Sequence, residues 1–136
     1  MENVIENLKD EDFQAVTTAM VDRTVQVCHG VAKESGWWND IKTGEPIQRN
    51  RGELIALMHS ELSEALEGIR KNTNDDHLPH RTAEEVELAD CVIRIFDYAG
   101  AYGLDLGGAL VEKLIYNSNR SDHKPENRAK DGGKKI

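Results

Sequence analysis

Apolar positions along this chain recur every three to four residues in four separate blocks, and that period predicts four helices. Over residues 10–34 Phe13, Val16, Met20, Val27 and Val31 approximate one stripe, with Asp10 or Asp12 as the cap and Gly36 as the stop. Over 52–71 Ile55, Met58, Leu62, Leu66 and Ile69 form a second stripe, and Leu54, Leu57, Glu61 and Glu64 lie along a neighbouring one. Over 82–100 Val86, Ala89, Ile93 and Phe96 share a face that Leu88, Val92 and Ile95 widen, the breadth expected of a central helix packed on several sides. Thr82 followed by Glu85 is a capping box for that helix, and Gly100 and Gly103 end it. Over 105–119 Asp105 serves as cap, with Leu106, Leu110, Leu114 and Ile115 inward. No strand-like alternation and no internal repeat competes with this pattern. The predicted fold class is all-α, a four-helix bundle-like unit.

The segments between the blocks are polar and turn-rich. Residues 36–51 carry Gly44 and Pro46 and read as an ordered loop around Trp37 and Trp38, while 72–81 reads as a turn-rich connection. Residues 1–9 form an N-terminal extension, frayed or peripheral, and 10–120 form the domain. Residues 121–136, with Pro125, Gly132 and Gly133, form a polar tail expected to be extended or mobile.

Composition narrows the function classes. A chain of 136 residues is most simply one domain. Its net charge of −8 argues against a nucleic acid polymer or an anionic membrane as partner, although a bound cation can reverse the sign locally for a nucleotide. The acidic N-terminus lacks the apolar core of a secretory signal, and no apolar run approaches the roughly 18 residues of a membrane span. Cys28 and Cys91 both fall in helical patterns and read as free thiols in a reducing compartment, which makes the expected location cytoplasmic.

The chemistry concentrates in two acid pairs, Glu61 with Glu64 and Glu87 with Asp90, each spaced i, i+3 inside an apolar helical block. Carboxylates on apolar helices require a positive counterpart, and the expected one is a divalent cation. Neither pair contains a histidine, and an all-oxygen donor set favours Mg²⁺ or Mn²⁺ over a redox metal. Lys113, Asn117 and Arg120, at i, i+4, i+7, offer a cation, an amide and a guanidinium on one line, which suits phosphate groups as well as an ordinary polar helix face. Trp37 or Trp38 can stack on a nucleobase, or anchor the loop. His77 and His80 flank Pro79 and read as surface residues, and His59 as a packed or supporting residue near Glu61.

The ordered set of these residues resembles the all-α nucleoside triphosphate pyrophosphohydrolases, the superfamily of MazG-like enzymes and dimeric dUTPases. Gly36-Trp37-Trp38, then Glu61-x-x-Glu64, then Glu87-x-x-Asp90, then Tyr116-Asn117-x-x-Arg120-x-x-His123 carry the resemblance over roughly residues 10–124. The chain is similar to the short single-domain branch found in phages and mobile elements. The resemblance implies cleavage of a (d)NTP to (d)NMP and pyrophosphate with Mg²⁺ or Mn²⁺. It implies Glu61, Glu64, Glu87 and Asp90 as metal ligands, and Lys113, Asn117 and Arg120 as phosphate-binding residues. It also implies a homodimer or homotetramer in which helices of two chains complete a site. Some members of the short branch are associated with guanine deoxynucleotides, so dGTP or GTP is an expected substrate that no residue here fixes.

The expected mechanism is attack of a water on the α-phosphorus, with Glu61 or Glu64 taking the proton. Two other readings remain: a related all-α hydrolase acting on dUTP, dCTP or a phosphoribosyl nucleotide, and a non-catalytic helical metal-binding or interaction module.

Overall fold

Every regular element in a computed structural model of the protein, which describes residues 4–135, is helical. The elements are α1 (Val4–Asn7), α2 (Glu11–Glu34), α3 (Arg51–Lys71), α4 (Ala83–Ala101) and α5 (Leu106–Asn119), then a 3-10 turn at Ser121–His123 and α6 (Pro125–Arg128). Among the described residues, extended pairing is limited to the isolated bridges Asn39–Pro46 and Asn74–Thr82. No helix among them is long and apolar enough to cross a membrane.

The four long helices begin and end where local chemistry puts them. Asp10 Oδ1 accepts from the Phe13 amide at 2.8 Å and starts α2. Asn50 Oδ1 accepts from the Gly52 and Glu53 amides at 2.8 and 3.2 Å and starts α3, which closes on Asn72 in the left-handed conformation. Thr82 and Glu85 form the reciprocal capping box of α4, and Asp105 accepts from Gly108 to start α5.

The chain divides into two units. One spans Thr24–Leu104, and the other takes the chain up to Arg23 together with everything from Asp105 onward. In the first, α3 and α4 form an antiparallel hairpin. At one end Gly68 meets Ala83, so closely that a Cβ on Gly68 would lie 2.8 Å from the Ala83 Cβ. Further along, the Cys91 thiol donates to the Met58 carbonyl. Small residues permit this approach, and several of them make up the core: Ala65, Cys91 and Ala99 are buried alongside Leu54 and Val25. The second half of α2 joins α4 where His29 lies over Gly100. Gly100 therefore does not stop α4, as the sequence pattern predicts; it lies inside the helix as a contact point. The stop is Gly103, at φ +62°.

In the other unit, Gly107 at the start of α5 packs on α2, where a Cβ would fall 2.8 Å from the Thr18 carbonyl oxygen. The expectation of an extended tail fails here. Pro125 occupies the first turn of α6, and the Arg128 guanidinium donates to the carbonyls of Lys134 and Lys135, folding the last residues back. The N-terminal extension likewise contains the one-turn helix α1, while residues 1–3 lie outside the described residues.

The apolar stripes expected inside are largely outside. Leu66 is 56 % exposed, Ile69 54 %, Val31 59 % and Val16 60 %. Leu88, Val92 and Ile93 of α4 and Leu110 and Leu114 of α5 are exposed as well. The close helix contacts are made by small side chains, so the large ones on the adjacent stripes are not covered within their own unit. Both cysteines are free, as the sequence predicts.

Gly100→Ala would place a Cβ 2.5 Å from the His29 Cβ, a contact that forces α2 off α4. The expected loss is about 1–3 kcal/mol of unfolding free energy, read by urea denaturation. A loss below about 0.5 kcal/mol would mean that this crossing does not hold the unit together.

Candidate metal centre and adjoining pocket

Glu61 lies midway along α3, and Glu87 and Asp90 in the first half of α4. The antiparallel hairpin brings one carboxylate oxygen of each within 4.8 Å of the others. Glu61 is buried, at 6 % exposure, Glu87 is half-buried and Asp90 reaches solvent. Three acids from the two predicted pairs thus converge. Glu64 stands outside this group of three, yet close enough to Glu87 for its charge to act there.

The electrostatics are those of an under-compensated anion cluster. Burial pushes the Glu87 carboxyl above its ordinary range, and the charges of Glu64, Glu61 and Asp90 push it further. Asp90 is raised first by partial burial of its carboxyl and then by Glu61, with Arg94 pulling the other way. The Arg94 Nε donates directly to Glu61 Oε1 across the hairpin. Arg94 is a residue that the sequence pattern did not single out. Its position was legible, because Glu87, Asp90, Arg94 and Asp97 follow one another at i, i+3, i+7, i+10 along a single line of α4.

Beside the acids lies a cavity of about 660 Å³, walled by α2, α3, α4 and the loop after Gly36. Asp90, Arg94 and Asp97 line one side of it, and Val27, Val31, Leu54, Leu57 and Ile93 supply apolar surface. Asp97 ties the loop to this wall: it accepts from the Trp38 indole N–H at 2.9 and 3.2 Å and lies 2.8 Å from His29 Nδ1. Trp38 also meets His29 and Tyr102 edge-on, with the Arg49 guanidinium over its ring. Trp38 is therefore an anchor of the loop. Trp37 lines the same cavity at 63 % exposure. No sequence signal could have found His29, since its partner Asp97 is 68 residues away.

Comparison with protein-family models, curated proteins and solved structures returned no match. The residues and their geometry carry the functional reading.

The other predicted group belongs to the other unit. Lys113 and Arg120 sit over the Tyr116 ring, their cationic groups 4.6 and 5.9 Å from its centre. Arg120 lies just past the end of α5 and forms a two-pronged ion pair with Asp122, at 2.9 and 2.7 Å, which holds the Asp122 carboxyl below its ordinary range. Asn117 Oδ1 is buried without a hydrogen-bond partner among the described residues. His59, His77 and His80 are exposed and belong to no group of three metal-capable side chains among the described residues.

These acids can hold a hard cation: the donors are all oxygen, they come from rigid helices, and their mutual repulsion is relieved by positive charge. Without one, the raised carboxyls of Glu87 and Asp90 bind protons in the folded protein that the unfolded chain would release. Stability then falls as pH rises from the ordinary carboxylate values, 4.5 and 3.8, through the raised ones. In EDTA at pH 7 the Glu87→Gln/Asp90→Asn protein should melt higher than wild type. The gap should close below the ordinary values, where both carboxyls are protonated in either state. Calorimetry across that range checks it, and a gap independent of pH would refute the assignment of strain to these two charges.

Proposed function

We propose that the protein is a metal-dependent nucleoside triphosphate pyrophosphohydrolase that converts a (d)NTP to (d)NMP and pyrophosphate. The observation that carries this reading is the convergence of Glu61, Glu87 and Asp90, with Asp90 also lining a largely apolar cavity that Trp37 shares. A cation site beside a cavity of nucleoside size is what hydrolysis of a nucleotide anhydride needs. The resemblance of the ordered acid and aromatic residues to the MazG-like superfamily points to the same chemistry.

In this reading Glu61, Glu87 and Asp90 would hold Mg²⁺ or Mn²⁺, which would supply Lewis-acid polarisation of a phosphate oxygen and lower the pKa of a bound water. Water adds to the α-phosphorus, the bond to the α–β bridging oxygen breaks, and pyrophosphate leaves. Glu64 lies outside the group of three, yet near enough to Glu87 for its charge to act there, which supports it over Glu61 as the carboxylate that would take the proton of the attacking water. Trp37 offers a stacking face for the base. Lys113, Asn117 and Arg120 keep their assignment as phosphate-binding residues on the resemblance, and the partnerless Asn117 Oδ1 is compatible with a role in ligand binding. A purine substrate such as dGTP or GTP comes from the resemblance alone.

The test is a panel of nucleoside triphosphates assayed for pyrophosphate with Mg²⁺ or Mn²⁺. Release from at least one, abolished by EDTA, is expected, and a dUTP, dCTP or phosphoribosyl nucleotide preference would redefine the substrate within the same reaction class. Glu64→Gln should lower turnover by about 10²-fold or more while helical circular dichroism is unchanged. Cation binding with no turnover on any nucleotide would assign the protein to the non-catalytic metal-binding class.

The uncovered stripe of Ile55, Leu62, Leu66 and Ile69 along α3 supports a homo-oligomer, since a monomer rarely exposes an apolar face of this length. Light scattering should give a dimer or tetramer, and Leu66→Glu should shift the mass toward the monomer. A monomeric wild type would remove this part of the reading.

A further inference from the structure

The buried carboxylate of Glu61 already has a cation, and that cation belongs to the chain. Glu61 has a side chain only 8 % exposed, and a carboxylate so placed is stable only with a positive partner. Arg94 supplies it from the facing helix, through Nε alone. Glu61 is also one of the three acids within 4.8 Å of one another. The same carboxylate therefore serves two electrostatic arrangements, one with a guanidinium and one with a metal.

Arg94 is built to give way. Its side chain is 43 % exposed and lines the 660 Å³ cavity, so the guanidinium has solvent-accessible space beside Glu61. It lies one turn beyond Asp90 and one turn before Asp97 on the same line of α4. A long, flexible side chain can thus leave Glu61 and remain between two carboxylates. A single positive charge also leaves Glu87 and Asp90 under-compensated, whereas a divalent ion serves all three acids.

We propose that Arg94 is a stand-in cation: it pairs with Glu61 and keeps its carboxylate aimed in the metal-free centre, and a divalent cation loads by exchanging with it. The inference rests on the metal reading of the three acids and adds to it a positioning residue that competes with the metal.

The experiment measures Mn²⁺ binding to the full chain, without nucleotide, by electron paramagnetic resonance and calorimetry, together with melting temperatures in EDTA. Removing the competitor with Arg94→Met should tighten Mn²⁺ binding about tenfold, since the pair is half-buried and one partner must be displaced. The same variant should melt lower than wild type in EDTA and recover with Mn²⁺. Arg94→Gln should behave alike, which guards against a packing effect peculiar to methionine. Arg94→Lys, which keeps the charge, should return the Mn²⁺ affinity toward the wild-type value. Unchanged or weaker Mn²⁺ binding in both neutral variants would overturn the exchange while leaving the metal centre intact. No Mn²⁺ binding by wild type or any variant would overturn the metal reading itself.

Discussion

Burying the Glu61 carboxylate at the contact of two helices is the constraint on which the rest of this structure depends. A charge there is tolerated only with compensation, and Arg94 on the facing helix provides it. That pair also reports the register of α3 on α4, because an ion pair across a hairpin cannot survive a slip of one turn. With the register set, Glu87 and Asp90 are held next to Glu61 whether or not their charges repel. The close approach is made possible by small side chains, with Gly68 against Ala83 at one end and Ala65 and Cys91 buried within. Tight backbones and a crowded anion cluster are thus two results of one packing choice.

The cavity beside the acids depends on a second polar network. Asp97 holds Trp38 and His29 together, and Gly100 lets His29 come close enough to α4 for that contact to form. Tyr102 carries the arrangement into the loop, donating from its hydroxyl to the Arg49 carbonyl and stacking under Arg51 at 3.9 Å. One tryptophan is used up in this fixation. The other lines the cavity and stays exposed, a division of labour between neighbouring identical residues that arises from which one reaches the half-buried Asp97 carboxylate.

The uncovered apolar stripes belong to the same economy. Helices that meet through alanine, glycine and cysteine bury little apolar area per contact, so leucine and isoleucine side chains on the adjacent faces remain uncovered. A second copy of the chain would cover them without altering the hairpin. The small-residue seam between α3 and α4 thus both crowds the acids and leaves the apolar stripes uncovered.

Helix positions were legible in the sequence because their causes are local. The period of apolar residues, the Thr82–Glu85 capping box and Asp105 act within one or two turns, and the four long helices fall within a residue or two of the pattern. The acid pairs were legible for the same reason, since i, i+3 spacing fixes a shared face before any partner is known. What the local pattern could not carry is distance between elements. That Glu64 stands outside the group of three, that Arg94 answers Glu61 and that His29 answers Asp97 depend on residues 33 and 68 positions apart meeting across helix contacts. The pattern alone makes Gly100 a stop, because a glycine that ends a helix and one that admits a neighbour look alike in one dimension. The folding of the tail has no local signature, because it comes from Arg128 reaching carbonyls six and seven residues on, a contact with no periodic trace. Local sequence determined the helices and put the acids on their faces; tertiary packing decided which of them share a site, because only packing brings distant charges within reach of one another.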